Sequence, residues 1–127
     1  MLCVDSSGWI EFFLGSNAGR TFKPIIEQTA QLIVPAISIL EVHRFLSRTV
    51  NATKRDKALE LMCRSTVIDL TTARAIAGSN VAQQYKLAMA DAVMYSIAQE
   101  FKATFWTQDV DYKDLPGVSF HARAQAS

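Results

Sequence analysis

The sequence predicts an α/β domain built on a mostly parallel sheet of four to five strands. Two observations predict it. Short strand-like runs alternate with helical stretches along the chain, and those runs are apolar throughout rather than at every second position. A strand apolar on both faces is one buried between layers, as strands of parallel sheets are. With 127 residues, half of them hydrophobic, a single domain over 1–127 is expected. It would bury roughly two-thirds of the surface that the unfolded chain exposes.

Leu2-Cys3-Val4 reads as a buried strand ending in the turn-forming run Asp5-Ser6-Ser7-Gly8. Trp9 to Leu14 reads as a short helix closed by Gly15-Ser16-Asn17, and Thr21 to Thr29 as a second with Pro24 in its first turn. Gln31 to Pro35 is a second strand around Leu32-Ile33-Val34. From Ser38 to Thr49 apolar residues recur at helical spacing, and Thr53 to Arg64 is a charged amphipathic helix. Thr66 to Leu70 is a third strand, and Thr71 or Thr72 can cap a helix running to about Tyr85. Ala90 to Phe101 is so apolar that burial on most sides is expected. Ala103 to Trp106 makes a fourth strand and Val118 to Phe120 a fifth.

The balance of 13 basic against 12 acidic residues gives no net charge from which a nucleic-acid partner could be argued. Cys3 and Cys63 sit in apolar-looking stretches, away from any CxxC pattern or histidine, and read as buried thiols in a reducing compartment. No basic run precedes Leu2, so no signal peptide is expected. No apolar run approaches the ~20 residues of a membrane helix. A cytoplasmic protein is the expectation.

Four acids stand on or beside apolar elements: Asp5, Glu41, Asp91 and Asp109. Ligands of parallel sheets gather at the carboxyl ends of the strands, which points to Asp5 after the first strand and Asp109 after the fourth. In one cleft these acids would repel, two ionised carboxylates ~4 Å apart costing about 4 kcal/mol at an effective dielectric near 20. A divalent cation removes that penalty. With only His43 and His121, and no cysteine beside an acid, zinc fits poorly and all-oxygen ligation favours Mg²⁺ or Mn²⁺. Such ions suit phosphodiester hydrolysis, where they acidify water and stabilise the leaving oxygen without a protein nucleophile.

Each acid also has an ordinary role open to it. Asp5 before Ser-Ser-Gly can be a turn or cap residue. Ser38-Ile39-Leu40-Glu41 fits a capping box. Asp91 near a helix start can be stabilised by the macrodipole alone, and Asp109 shares a polar loop with Asp111 and Asp114. Arg44 and Arg48 lie one and two turns beyond Glu41, where they can hold phosphates or simply line a solvated face. The sequence lacks GxGxxG, P-loop and GxSxG motifs. An aspartyl phosphatase would want an acid two positions after Asp5, where Ser7 stands.

The order of these acids resembles the PIN-domain family, most closely its VapC-type toxins. Leu2-Cys3-Val4-Asp5-Ser6-Ser7-Gly8-Trp9-Ile10 is similar to the family's opening strand, and Pro35 to Val42 to its second motif. Leu87-Ala88-Met89-Ala90-Asp91-Ala92-Val93 resembles its Ala-Asp-Ala signature, and Phe105-Trp106-Thr107-Gln108-Asp109-Val110-Asp111-Tyr112 its closing Thr-x-Asp.

The resemblance implies a three-layer α/β/α fold and Mg²⁺- or Mn²⁺-dependent endoribonuclease activity. Asp5, Glu41, Asp91 and Asp109 would bind the metal, with Ser6 and Thr107 in support. Asp111 competes for the fourth place, but Asp109, two residues after Thr107, matches the family pattern. The resemblance further implies a homodimer, a VapB-like antitoxin partner and a structured RNA substrate such as tRNA or rRNA. Two other readings stand beside it: a catalytically silent PIN-like module that binds RNA or protein, and a metal-dependent DNA nuclease.

Overall fold

Five strands pair in the order β3-β2-β1-β4-β5, all parallel, in the computed structural model, which describes residues 1–123. The strands are β1 (Leu2–Val4), β2 (Leu32–Pro35), β3 (Thr66–Ile68), β4 (Thr104–Thr107) and β5 (Val118–Phe120). The helices are α1 (Ser6–Leu14), α2 (Asn17–Ile26), α3 (Ala36–Thr49), α4 (Ala52–Met62), α5 (Thr72–Tyr85) and α6 (Met89–Glu100).

Alternate residues of the central strands feed two separate cores. Cys3, Ile33 and Phe105 join Met94, Tyr95, Ile97 and Tyr112 on one face of the sheet. Val4, Leu32 and Val34 join Trp9, Phe22, Leu46 and Met62 on the other. The expected three layers are present, and the unbroken apolar strands are explained by having a core on each side.

The strand order fixes where a ligand can sit. From central β1 the chain builds outward through β2 and β3, then returns to lay β4 and β5 on the opposite side. Connections leaving β1 and β4 therefore diverge, and a crevice opens at their carboxyl ends. Asp5 and Asp109 stand there.

Several boundaries differ from the sequence reading, each for a local reason. Helix α1 starts at Ser6, three residues earlier than expected, and α2 spans Asn17–Ile26 rather than Thr21 to Thr29. Gly15 (φ 69°) terminates α1 in the left-handed conformation, and Ser16 caps α2 by accepting from the Gly19 N–H at 3.1 Å. The residues expected to form one closing turn thus end one helix and begin the next. Pro24 consequently lies near the end of α2, not in its first turn, and Thr29–Gln31 form a short 3-10 turn. Asn51 caps α4 and Thr71 caps α5. Cys63 is exposed, contrary to expectation, because it follows α4 at its C-cap rather than packing inside it. Among the described residues no helix is long and apolar enough to cross a membrane.

Helices α1 and α2 approach closely at Gly19. A Cβ there would lie 2.4 Å from the Glu11 carbonyl oxygen and 2.7 Å from Phe12 Cα, both backbone atoms that cannot step aside cheaply. Gly19→Ala should lower stability by about 2 kcal/mol in urea unfolding, with the helices forced apart. A variant as stable as the parent would show that the contact relaxes freely.

Candidate metal centre

Asp5 occupies the N-cap position of α1, where a carboxylate ordinarily accepts a backbone N–H of the first turn, yet its side chain makes no such bond. Its Oδ2 instead accepts from the Thr107 hydroxyl at 2.8 Å and from Ser7 at 3.3 Å. Its backbone N–H extends the β1–β4 pairing by donating to the Trp106 carbonyl at 2.9 Å. Thr107 is fully buried, and its Oγ1 also accepts the Asp109 N–H at 3.0 Å. One threonine thereby ties the ends of β1 and β4 together. Asp109 accepts the Asp111 N–H at 2.9 Å, capping the short 3-10 turn Val110–Tyr112. Asp111 itself is exposed.

Helix α3 supplies Glu41. No capping box forms, because α3 begins at Ala36 with Pro35 in the N-cap position, which leaves Ser38 inside the helix with its hydroxyl buried and unpartnered. Glu41 Oε1 accepts from Ser6 Oγ of α1 at 2.9 Å, linking residues 35 positions apart. Asp91 lies in the first turn of α6.

The charges of the other acids bear on Asp5 and Asp91. Burial pushes the Asp5 carboxyl up to about 6, with the charges of Asp91 and Asp109 adding to the rise and the Thr107 and Ser7 hydroxyls opposing it. Asp91 is also raised, first by burial and then by Glu41, Asp109 and Asp111. Among the described residues no salt bridge reaches any of the four.

Residues 2–118 match the family model for the PIN domain. The chain belongs to the PIN-domain family. The fold of this PIN domain is similar to a toxin–antitoxin complex from Klebsiella pneumoniae, with TM-score 0.78 and 20% identity over 94% of this chain and 96% of that one. It is similar to the Mycobacterium tuberculosis toxin VapC20, which cleaves the sarcin–ricin loop, with TM-score 0.77 and 14% identity over 91% and 95% of the two chains. DNA-bound VapBC from Salmonella typhimurium gives 0.71 and 14% over 96% and 98%. At these identities the likeness is one of fold. No curated protein matches the chain in sequence.

Beside Glu41, α1 and α3 frame a cleft of about 430 Å³ whose lining includes Ser6, Ser7, Ile10, Arg44 and Arg48. The two arginines are exposed and stand at its rim. Two residues of the site carry no functional signal of their own in the sequence. Ser7 enters there within the turn-forming run and the opening motif and as the residue excluding a phosphatase, and Tyr112 only as the last residue of the closing motif.

The donor set of this PIN domain is all carboxylate oxygen, with hydroxyls in support, and suits a hard divalent cation. Asp5 fits best, since Oδ2 is anchored while Oδ1 has no hydrogen-bond partner among the described residues. As the side chains stand, no three acidic, histidine or cysteine groups among the described residues are close enough to hold an ion. Ligation would therefore require the acids to draw together.

The raised carboxyl has a consequence for stability. Unfolded, Asp5 titrates near its ordinary value; folded, it titrates near 6, so the native state binds this proton more tightly. The contribution is fully present below the ordinary value and is lost as pH rises through 6. For metal-free protein, Asp5→Asn should remove that fall and exceed the parent at pH 7 by at most about 3 kcal/mol. Urea melts between pH 4 and 8 test this; parallel curves for the two proteins would refute it.

Proposed function

We propose that this PIN domain is a Mg²⁺- or Mn²⁺-dependent endoribonuclease, the cytoplasmic toxin of a VapBC-type pair. The observation that carries the reading is Asp5: a carboxylate 3% exposed, denied its capping bond, without a cationic partner among the described residues and repelled by Asp91 and Asp109. Such an arrangement destabilises the fold, and a bound cation gives it a use.

Asp5, Glu41, Asp91 and Asp109 would hold the ion. When bound, it lowers the pKa of water and neutralises charge developing at the scissile phosphate. The chain's other groups position. Thr107 and Ser7 orient Asp5, and Ser6 orients Glu41. Arg44 and Arg48 line the cleft beside Glu41 and would bind backbone phosphates of the substrate there. No thiol offers a nucleophile beside Asp5: Cys3 is fully buried, and burial pushes its thiol above the ordinary range.

RNA as substrate and a VapB-like antitoxin as partner are supported by the toxins that share the fold, one named for sarcin–ricin loop cleavage and others solved in complexes.

Asp5→Asn and Asp91→Asn should each reduce Mn²⁺-dependent cleavage of a mixed RNA pool by more than about 100-fold while leaving the far-UV spectrum intact. Parent-rate cleavage by either variant would refute the assignment. Single-stranded DNA run in parallel separates a ribonuclease from a deoxyribonuclease, and a parent inert on both is a binding module. Arg44→Ala with Arg48→Ala should raise KM and flatten the salt dependence, by about 0.7 in log–log slope for each phosphate that is no longer neutralised. An unchanged slope would exclude both residues from the substrate track.

A further inference from the structure

Tyr112 is fully buried, and its ring packs against Phe105 at 4.8 Å and Tyr95 at 6.1 Å between centroids. A phenylalanine would satisfy those aromatic neighbours equally well. The hydroxyl is therefore surplus to packing. It is also unpartnered: Tyr112 Oη is buried and makes no hydrogen bond among the described residues. Buried polar atoms are nearly always bonded, so this hydroxyl calls for a partner that its surroundings, as they stand, do not supply.

The surroundings identify that partner. The charges of Asp5, Asp91 and Asp109 all reach the Tyr112 hydroxyl. Asp91 is close enough that the two groups shift one another, although they do not stand in the geometry of a formed hydrogen bond. The backbone holds the tyrosine in place, its N–H donating to the Asp109 carbonyl at 3.2 Å across the short turn that Asp109 caps. Its ring sits in the core that also contains Met94, Tyr95 and Ile97 of α6, the helix that carries Asp91.

We propose that Tyr112 is a positioning residue for the acid cluster: its hydroxyl donates to Asp91 and fixes which carboxylate oxygen faces the crevice when a cation is bound. Asp91 would then be oriented as Asp5 is by Thr107, each acid having one dedicated hydroxyl from the segment 107–112. Bonds from a hydroxyl to a carboxylate are short and strong, which suits orientation of a ligand whose neighbours repel it. The proposal rests on the reading of Asp91 as a metal ligand.

Tyr112→Phe deletes the hydroxyl and leaves the ring. Mn²⁺ titration followed by calorimetry should show Kd weakened about 10-fold, the loss typical of a group that orients a metal ligand. The melting temperature of the metal-free variant should be unchanged or higher, because a buried unpartnered hydroxyl has been removed. Parent-like Mn²⁺ affinity overturns the proposal, and so does an affinity loss accompanied by a fall in metal-free melting temperature, which would mark a packing role. Asp91→Asn serves as the control. If the parent fails to bind Mn²⁺, or Asp91→Asn binds it as tightly as the parent, the acid-site reading itself is refuted. If both controls behave and Tyr112→Phe does not, only the role of Tyr112 is lost.

Discussion

The bond from Thr107 to Asp5 holds together what the sheet would otherwise leave apart. Beyond their last paired residues, parallel neighbours have nothing to keep their following loops in register, least of all where the chain departs in opposite directions. Here the Asp5 N–H continues the ladder onto Trp106, and one buried hydroxyl then bonds both the Asp5 carboxylate and the Asp109 backbone. The crevice walls are fixed by these bonds, all made by β4 and its exit. A carboxylate accepting such a bond is worth more than a neutral pair, about 1.5–3 kcal/mol. Burial of its charge outweighs that bond, since the Asp5 carboxyl stays raised with the Thr107 and Ser7 hydroxyls in place, so the acid is held inside without being stabilised there.

This balance explains why the remaining acids come from elsewhere in the chain. Glu41 and Asp91 sit on α3 and α6, helices packed on opposite faces of the sheet. Their separate scaffolds hold like charges within electrostatic reach of each other while each helix is secured by its own core. Val42 and Leu46 anchor α3; Met94, Tyr95 and Ile97 anchor α6. Repulsion at the crevice is set against burial of large side chains, each contributing about 1.5–3 kcal/mol. The rigid part of the molecule thus tolerates a site that is unfavourable in isolation.

What the sequence made legible was whatever depends on neighbours along the chain. Apolar strands without alternation disclosed a sheet covered on both faces, and the acids that follow the first and fourth strands fall at neighbouring strand ends. What it concealed depends on partners far away. Ser38-x-x-Glu41 has the spacing of a capping box, and that spacing alone does not distinguish the box from the bond that Glu41 makes to Ser6, 35 residues earlier. Pro35 decides the matter by occupying the N-cap position itself, so that the helix is under way before Ser38. Gly15 and Ser16 read as a single stop, because adjacent end and start signals look alike until both helices are in view. Cys63 follows the same logic in reverse: its sequence neighbours are apolar, but it falls one residue past the helix that buries Met62.

Asp109 shows that the ordinary and the chemical explanation of a residue need not compete. Its side chain caps the turn Val110–Tyr112 by accepting the Asp111 N–H, as an aspartate in a polar loop commonly does. Its charge nonetheless acts on Asp5 and Asp91. One carboxylate oxygen serves the turn, and the turn in return fixes where the other can point. Asp5 is the opposite case, standing where a cap is expected and declining to make one. A capping bond is worth about 1 kcal/mol, and forgoing it leaves Oδ1 without a hydrogen-bond partner among the described residues. An acid that gives up a local bond and remains buried is constrained by the site rather than by the helix it precedes.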